Sequence, residues 1–553
     1  MASVPIPPFE RHEALRRLAD EPLDVLVVGG GITGAGCALD AAARGLRTGL
    51  VERADFASGT SSKSSKLVHG GIRYLQQREI GLVYEALAER QVALRNAPHL
   101  VRVLPFLIPI LSRDGLVDRR VARALGAVMW MYDLTGGLRI HKAHQRIDAE
   151  RATALMPTLR RENLASAYLY YDAQTDDARL TLCLARTAAA HGAAVANRVQ
   201  VVAVLKDDRD QVRGARVSAD GDEFEIQART IVNATGVWAD DVRALDEGEH
   251  PDSIRPAKGV HLTVPWSKVR NEIAAIVPVP GDRRSVFVVP WGDFTYVGTT
   301  DTDYDGPIDD PQCTPEDIDY LLKALNRAIT EPVRPADVTG TWAGLRPLLR
   351  TASNARTADL SRRHGVRVST SGVVTVTGGK LTTYRRMAAD TIDQVARLVG
   401  RRSKSRTRRL KLLGADGYEA PSPTPEPASV HEHLASRYGT EADAVLTLLR
   451  EEPGLRDPLV PGLPYLRAEA IHAVRHEMAI TLDDVLSRRT RARLLARDAS
   501  RAAAEEVARL VAPELGWDEA RITAEADGYR RACERERTSA QLPESALDAS
   551  LGA

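Results

Sequence analysis

The glycines Gly29, Gly31 and Gly34 have the spacing GxGxxG, which suits the binding of a pyrophosphate. The first glycine permits a tight turn, the second lets the backbone approach the pyrophosphate, and the third lets a helix pack closely on a strand. Glu52 follows Gly34 by 18 residues, close to the ~20 expected for the acid that bonds the ribose hydroxyls. An acid there also disfavours the 2′-phosphate of NADP. We therefore predict a dinucleotide site, and the motif leaves NAD and FAD as alternatives.

Further stretches place small or polar residues where a ligand could approach the backbone. TIVNATGVWAD, residues 230–240, reads as an apolar strand that ends in Ala-Thr-Gly. GGKLTTYR, residues 378–385, puts two glycines before a segment of helical character, whose first N–H groups could face negative charge. TSSKSSKLVHGGIRYL, residues 60–75, has neither a helical nor a strand period and is rich in hydrogen-bond donors.

The elements around these residues form an α/β pattern. Leu23–Val28 is a short apolar run typical of a buried strand, CALDAAARG has helical character, and TGLVER is a second strand, so one βαβ unit surrounds the glycines. Residues 286–291 and 295–301 predict an antiparallel pair, and 366–379 predict another that turns at Ser371-Gly372. Further strand-like runs lie at 201–205, 214–218 and 230–236.

Length and composition narrow the class of protein. A chain of 553 residues predicts two or three domains. Lys+Arg 75 against Asp+Glu 74 leaves a net charge of +1, so no global field would attract nucleic acid. The first residues lack the apolar core of a signal peptide, and no window reaches the ~18 apolar residues of a membrane span. Any membrane contact is therefore expected to be peripheral.

The cysteines suggest neither a disulfide framework nor a metal site. They are far apart in the chain and form no CxxC pair, so a reducing cytoplasm fits their use. The four positions are Cys37, Cys183, Cys313 and Cys533.

The composition changes after Gly400. A basic run followed by a stretch rich in proline and small residues predicts a linker over 401–429. The pattern over 430–540 is helical, and we expect disorder over 541–553. Residues 471–495 place apolar side chains near one helix face, although Thr481–Asp484 could start a new helix.

Six motifs together resemble the flavin-dependent glycerol-3-phosphate dehydrogenases, and they occur in the order of that family. HGGIRYL and GGKLTTYR are far more specific than the glycine motif, which many flavoproteins share. The others are VVGGGITGAG, NATGVWAD, VGTTD and GLRPL, and VRHEMAITLDDVLSRRTR resembles the family's C-terminal domain. The resemblance implies FAD held without a covalent bond, oxidation of sn-glycerol 3-phosphate to dihydroxyacetone phosphate, and transfer of electrons to a membrane quinone.

The resemblance also implies the architecture: an α/β, two-lobed FAD-dependent oxidoreductase with a C-terminal helical domain. A Rossmann-like FAD domain is combined with a substrate domain built on an antiparallel sheet. After an N-terminal segment, 1–22, the two are interleaved over 23–400. We assign about 23–90, 175–250 and 340–400 to the FAD domain, and about 91–174 and 251–339 to the substrate domain.

A long set of residues is expected to contact the cofactor. The hydroxyl and backbone donors of the TSSKSS stretch would serve the phosphates and the ribityl chain, and the HGG turn would pass under the flavin without side-chain bulk. The residues implied are Gly29, Gly31, Gly34, Glu52, Thr60, Ser61, Ser64, His69, Gly70, Gly71, Val199, Ala234, Thr235, Gly236, Gly378, Gly379, Lys380, Leu381 and Thr382.

The substrate would carry a phosphate dianion, which suits arginine forks and other cations. By resemblance the substrate site contains four cations and three polar neighbours: Arg73, Arg346, Arg362, Lys380, Tyr74, Thr300 and Asp301. Arg363 is the alternative to Arg362, because a one-residue gap decides which of them matches.

Oxidation of the substrate hydroxyl calls for a proton acceptor. His69 is the first candidate, because it stands between the cofactor and substrate motifs, and His261 is the second. Arg346 and Lys380 could instead stabilise a developing alkoxide. We therefore treat His69, Arg346 and Lys380 as the candidate catalytic residues.

Several alternatives stay open at this stage. The acceptor could be O2, as in a glycerophosphate oxidase; the scaffold could host an amine or amino-acid oxidase; or FAD could be bound for structure only. Residues 118–134 combine arginines with an aromatic cluster, which fits either an interfacial helix or a core helix. We expect a cytoplasmic protein at the inner face of the cell membrane, and a homodimer is a candidate assembly.

Overall fold

The structure is a computed structural model of the chain, and it describes residues 9–71, 79–111, 126, 129–133, 142–279, 281–282, 284–350, 364–419 and 429–545. Some predicted residues lie outside this set. They are Arg73, Tyr74, Arg362 and its alternative Arg363, together with most of 118–134.

Strands and helices alternate along the first three quarters of the described chain, and helices alone follow. The strands are β1 (Val25–Val28), β2 (Thr48–Glu52), β3 (Leu67–Val68), β4 (Val101–Leu111), β5 (Gln145–Ile147), β6 (Leu164–Thr175), β7 (Ala194–Asn197), β8 (Val199–Lys206), β9 (Val212–Ala219), β10 (Asp222–Gln227), β11 (Ile231–Asn233), β12 (Ile254–Pro265), β13 (Ala274–Pro278), β14 (Ser285–Trp291), β15 (Phe294–Gly298), β16 (Thr302–Asp303), β17 (Gly340–Leu349), β18 (His364–Val368) and β19 (Val374–Gly378).

The α-helices of the described residues are α1 (Arg11–Asp20), α2 (Ile32–Ala43), α3 (Ile80–Asn96), α4 (Ala149–Leu155), α5 (Asp177–Ala190), α6 (Ala239–Glu247), α7 (Trp266–Val269), α8 (Pro315–Ala328), α9 (Tyr384–Leu398), α10 (Val430–Tyr438), α11 (Ala442–Glu451), α12 (Arg467–Glu477), α13 (Ala492–Leu495), α14 (Arg497–Ala502), α15 (Ala504–Leu515) and α16 (Glu519–Ser539). A π-helix spans Asp484–Arg489.

The first lobe is built on a six-stranded sheet in the order β18-β19-β11-β1-β2-β7. β1 pairs in parallel with β2 and with β11, and α2 connects β1 to β2, so the predicted βαβ unit is confirmed. All four residues of β1 are buried, as its uninterrupted valine-rich sequence predicts. The predicted antiparallel pair over 366–379 is β18 with β19, which places Gly378 and Gly379 at one end of this sheet.

The second lobe is built on a larger, mainly antiparallel sheet in the order β16-β12-β15-β14-β13-β4-β6-β3. The predicted pair over 286–301 is β14 with β15. β17, which the sequence grouped with the FAD domain, pairs instead with β12 along its whole length. Arg346 therefore projects from the second lobe.

The helical C-terminal part differs from its sequence pattern in one place. The helix α12 ends at Glu477, Met478 follows in the left-handed conformation, and the π-helix starts only at Asp484. The apolar face over 471–495 is thus divided between separate elements, at the break that the sequence left open.

The segments predicted as linker and tail are partly packed. Thr407 is buried and its hydroxyl donates to Asp40, so the first part of the linker lies against the first lobe. Leu542 is buried in the core of the second lobe, and the Ser545 N–H donates to Asp498. The expectation of disorder from Gln541 is therefore wrong for residues 541–545.

Buried ion pairs connect the C-terminal helices to α5 of the first lobe. Arg179 donates to both oxygens of Glu477 at 2.7 Å, and Arg186 forms a similar fork with Glu441 at 2.7 and 3.0 Å. Buried pairs of this kind fix how two bodies dock, because removing one partner leaves a charge without compensation.

Among the helices of the described residues, none combines the length and the apolar character needed to cross a membrane.

The Arg179–Glu477 pair predicts acid sensitivity of the docked C-terminal domain. Burial alone would raise the pKa of Glu477, but Arg179 and other nearby cations lower it from 4.5 to about 2. The stabilisation by a carboxylate with a lowered pKa is present above pH 4.5 and is lost as the pH falls towards 2. Calorimetry in this pH range should show the C-terminal domain unfolding at progressively lower temperature.

In Glu477→Gln the acid-induced loss should be smaller than in the wild type, because the amide does not titrate. Glu506→Gln removes an exposed partner of Arg467 and serves as the matched control with unchanged pH dependence. Equal pH dependence in Glu477→Gln and the wild type would contradict this assignment.

Candidate functional site

A single cleft of about 3130 Å³ runs between the two lobes. Most of the predicted cofactor residues line it: Gly29, Gly31, Glu52, Thr60, Ser61, Ser64, His69, Gly71, Val199, Ala234, Thr235, Gly236, Gly378, Gly379, Lys380, Leu381 and Thr382. Among the predicted substrate residues, Thr300, Asp301 and Arg346 line the same cleft. The fold therefore brings distant motifs to one place.

Gly34 and Gly70 are the predicted cofactor residues that do not line the cleft. A Cβ on Gly34 would stand 1.8 Å from the Gly29 carbonyl oxygen, so this glycine lets α2 pack against the turn that starts the cleft. Gly29 itself has a φ of +109°, which favours glycine. These positions support the cleft through backbone geometry.

Glu52 lies at the end of β2 and faces this turn. Its carboxylate accepts N–H bonds from Gly30 at 2.6 Å and from Ala54 at 2.8 Å. Burial raises the pKa of Glu52, and both backbone bonds oppose that shift. Each carboxylate oxygen has a second lone pair, so Glu52 can still accept a bond from a ribose hydroxyl.

Hydroxyls of the TSSKSS stretch donate to other protein groups, whereas the sequence predicts that they donate to the cofactor. The Thr60 hydroxyl donates to the Leu345 carbonyl at 2.5 Å, and the Ser64 hydroxyl donates to Asp177 at 2.7 Å. Both side-chain protons are thus engaged within the protein. Ser61 differs, because its Oγ accepts the Ile32 N–H at 2.8 Å and its own proton can point into the cleft.

The turn His69-Gly70 is held from two sides. The His69 N–H donates to the Thr382 hydroxyl at 3.0 Å, which joins the HGG motif to the GGKLTT motif. Behind the turn, the Gly70 N–H donates to the Tyr132 hydroxyl at 3.1 Å. A Cβ on Gly70 would come within 2.7 Å of that hydroxyl, so the backbone packs there without a side chain.

The cation Arg346 is clamped by the VGTTD motif. Its guanidinium donates to the Thr299 hydroxyl at 2.9 Å, to the Thr300 carbonyl at 3.1 Å and to Asp301 at 3.4 Å. Gly259 leaves the room that this side chain occupies, since a Cβ there would stand 2.6 Å from Nη2. An arginine held in this way presents a fixed positive charge to the cleft.

His261 also lines the cleft and is held in its neutral form. Its ring stacks on the Trp342 ring with their centroids 4.7 Å apart, and Nε2 lies 2.9 Å from the Ser65 hydroxyl. Burial, with the nearby charges of Lys66 and Arg346, lowers the pKa of His261 well below its usual range. A neutral imidazole can accept a proton, but a pKa this low makes His261 a weak base, so it stays the second candidate after His69.

Several residues that line the cleft were not predicted from the sequence. Three of these residues lie within the motifs described above, so their position in the sequence was a usable signal: Lys63, Trp238 and Thr299. Tyr170 and Phe287 lie in ordinary strands with no local signal. The Phe287 and His69 rings pack edge-on, with their centroids 6.0 Å apart.

The turn after β1 fits a dinucleotide. Glycines leave the backbone open, α2 starts at the turn, Ser61 stands beside it and Glu52 lies behind it, so a pyrophosphate and a ribose have suitable partners. His69, Arg346 and Lys380 line the same cleft. This arrangement can bind a long nucleotide cofactor together with an anionic substrate.

Family models match nearly the whole chain. The model described as FAD dependent oxidoreductase matches residues 24–385, and the model described as C-terminal domain of alpha-glycerophosphate oxidase matches residues 405–522. A glycerol-3-phosphate dehydrogenase of Mycobacterium leprae is 43% identical over 550 residues, which cover 97% of this chain and 92% of the relative.

Solved structures agree on the fold. The glycerol-3-phosphate dehydrogenase of Bacillus halodurans complexed with FAD has a TM-score of 0.74 at 31% identity, over 95% of this chain and 97% of that one. An L-alpha-glycerophosphate oxidase of Mycoplasma pneumoniae with FAD bound has a TM-score of 0.54 at 18% identity, over 70% of this chain and 97% of that one. FAD is the cofactor of this chain.

The packing of Gly34 on Gly29 predicts a strong effect of a single methyl group. Gly34→Ala should push α2 away from the turn, so the purified protein should lose FAD and unfold at a lower temperature. Gly81→Ala on α3 is the matched control, because a Cβ there meets no atom within 4 Å. Flavin absorbance per protein and a thermal melt measure both effects. A Gly34→Ala protein with full FAD content and an unchanged melt would contradict this role.

Proposed function

The chain belongs to the family of FAD-dependent glycerol-3-phosphate dehydrogenases, and from this we propose that it oxidises sn-glycerol 3-phosphate to dihydroxyacetone phosphate and passes the electrons to a membrane quinone. One observation carries the proposal. The clamped cation Arg346 lines the same cleft as Lys380 and the glycines that fit the cofactor. A phosphate dianion on a small alcohol matches these charges.

The protein groups bind, orient and deprotonate the substrate. Arg346 and Lys380 hold the anion and stabilise charge on the substrate oxygen as the C2 hydroxyl loses its proton. FAD, when bound, supplies the acceptor for the hydride from C2. The assignment of Arg73, Tyr74 and Arg362 to the same site rests on the family motifs, because these residues lie outside the described set.

His69 is the proposed proton acceptor, with His261 as the alternative. The backbone of His69 is fixed by Thr382, and its ring lies in the cleft against Phe287. His261 is already bound to Ser65 and stacked on Trp342, which restricts its reach. The support for His69 is therefore its position at the junction of the cofactor and substrate motifs.

A quinone acceptor calls for contact with the membrane, and one surface suits it. The helix α3 and residues 129–132 share a core cluster through Leu87, Met129 and Tyr132. The same two elements expose large apolar side chains, with Trp130 59%, Tyr84 51% and Ile80 49% exposed. Exposed aromatic residues are typical of interfacial contacts. This surface supports the proposal of peripheral binding at the inner face of the membrane.

A glycerophosphate oxidase that uses O2 is the second candidate. The observation in its favour is the match of residues 405–522 to a domain described for alpha-glycerophosphate oxidase. The substrate chemistry is the same in both cases, so only the acceptor distinguishes them.

The first test is anaerobic bleaching of the flavin by glycerol 3-phosphate, with glycerol as the control. Bleaching by glycerol 3-phosphate alone supports the substrate assignment, and no bleaching would refute it. Lys380→Met and Arg346→Met should each lower kcat/KM by about 100-fold, the usual cost of losing a group that stabilises charge in the transition state. Both should retain FAD.

Arg350→Met is the matched control for these variants. Arg350 follows Arg346 at the end of β17, but it is 54% exposed and pairs with Asp252. Its kcat/KM should stay within about twofold of wild type, as expected for an exposed ion pair. Equal losses in Arg346→Met and Arg350→Met would argue against a substrate role for Arg346.

The second test separates the two acceptors. With glycerol 3-phosphate, quinone embedded in anionic phospholipid vesicles should be reduced faster than hydrogen peroxide appears in air. Trp130→Ala should slow the reduction of vesicle-bound quinone and leave the reduction of a water-soluble quinone unchanged. Leu398→Ala, at an apolar residue of α9 that is 46% exposed, is the matched control. Stoichiometric peroxide in air would instead support the oxidase.

A further inference from the structure

The C-terminal domain reaches the cofactor cleft from behind through one short segment. We call residues 487–491, with the sequence SRRTR, the arginine segment. Its side chains Arg488, Arg489 and Arg491 are 11%, 2% and 1% exposed. All three donate to carboxylates of the FAD lobe, and none of the three lines the cleft. The arginine segment can therefore affect the cleft only through the carboxylates that it binds.

The first carboxylate is Asp55, which is fully buried. Arg489 forms a two-bond fork with it at 2.6 and 2.8 Å, and Arg488 adds a third bond at 2.6 Å. Asp55 stands in the turn 53–59, and Arg53, Ala54, Ser58 and Gly59 of this turn line the cleft. Two arginines of the C-terminal domain thus hold the turn that follows Glu52.

The second carboxylate is Asp177, at the start of α5 and also fully buried. One oxygen of Asp177 accepts the Ser64 N–H at 3.0 Å and the Ser64 hydroxyl at 2.7 Å, and Ser64 lines the cleft. The other oxygen accepts the Lys66 ammonium at 2.9 Å and also pairs with Arg491, which donates to Asp176 at 3.0 Å as well. Asp177 therefore joins the C-terminal domain to the stretch that lines the cleft.

Arg491 and Lys66 differ in how they hold Asp177. Lys66 donates to this carboxylate through its ammonium group, whereas Arg491 bridges Asp176 and Asp177. The planar guanidinium can hold two carboxylates in a fixed geometry, which an ammonium group cannot do. Without Arg491, Asp177 would lose the partner that orients its oxygens towards Ser64 and Lys66.

We propose that the arginine segment positions the cofactor cradle: Arg488 and Arg489 hold the turn 53–59 through Asp55, and Arg491 holds residues 60–67 through Asp177. These arginines are positioning residues, since they act on FAD through other groups. This role depends on FAD binding and is independent of the substrate and of the electron acceptor. It gives the C-terminal helical domain a function at the active site.

The competing explanation is that these pairs only attach one domain to the other. Arg186 offers a matched comparison, because its fork with Glu441 is an equally buried pair between the same two domains. Neither Arg186 nor Glu441 lines the cleft or contacts residues 53–67 among the described interactions. Arg186→Met therefore weakens docking without touching the cradle.

The experiment compares full-length Arg491→Met, Arg491→Lys and Arg186→Met. The dissociation constant of FAD is measured by reconstitution of the apoprotein, and amide hydrogen exchange is followed in peptides that cover 60–68. We expect FAD affinity to fall about tenfold in Arg491→Met, the effect of one lost charged hydrogen bond. Exchange over 60–68 should rise. Arg491→Lys should retain part of the FAD affinity and part of the protection from exchange.

In Arg186→Met the thermal melt should fall, while FAD affinity and exchange over 60–68 stay at wild-type values. Equal losses of FAD affinity in Arg186→Met and Arg491→Met would overturn the proposal, as would unchanged exchange over 60–68 in Arg491→Met. If Arg491→Met does not accumulate, Arg491→Lys carries the same comparison, with a loss of about threefold expected for a retained charge without the fork. Wild-type affinity and exchange in Arg491→Lys would then refute it.

Discussion

A backbone that must approach a cofactor closely cannot carry the side chains that would hold it in place. The rest of this structure follows from that constraint. Glycine and small hydroxyl residues line the cleft, so the support comes from behind: Gly34 packs α2 on the first turn, and Tyr132 contacts the Gly70 turn. The buried carboxylate Asp55 is bound by Arg489 in the turn 53–59, and the buried carboxylate Asp177 accepts the Ser64 N–H. The supports of the Gly70 turn and of Ser64 come from distant parts of the chain, Tyr132 and Asp177.

The proposed substrate end of the cleft has a different requirement. A positive charge must be fixed there, so a long side chain needs several partners. Arg346 has Thr299, Thr300 and Asp301, and Gly259 leaves the room it occupies. Because Arg346 lies on β17 of the second sheet, the distance between cofactor and substrate residues depends on how the two lobes meet. The proposed catalysis therefore requires correct docking of the two lobes as well as the motifs.

Short sequence patterns were sufficient to predict the features that backbone geometry determines. The glycine spacing, the acid Glu52 and the strand pairs around Gly378 were predicted from short patterns, since a turn or a βαβ unit is determined by neighbouring residues. Short patterns did not indicate hydrogen-bond partners that lie far along the chain. The hydroxyls of Thr60 and Ser64 were expected to face the cofactor, but distant groups, the Leu345 carbonyl and Asp177, take their protons.

By itself, the sequence determined the family, the dinucleotide turn and the set of motifs that must meet in one cleft. The tertiary structure alone decided how they meet: β17 joins the second sheet, Thr382 joins the HGG turn, and Arg491 reaches Asp177. The physical reason is that these contacts join residues that lie far apart in the chain. No period or motif records such a pairing, because it depends on how whole elements pack.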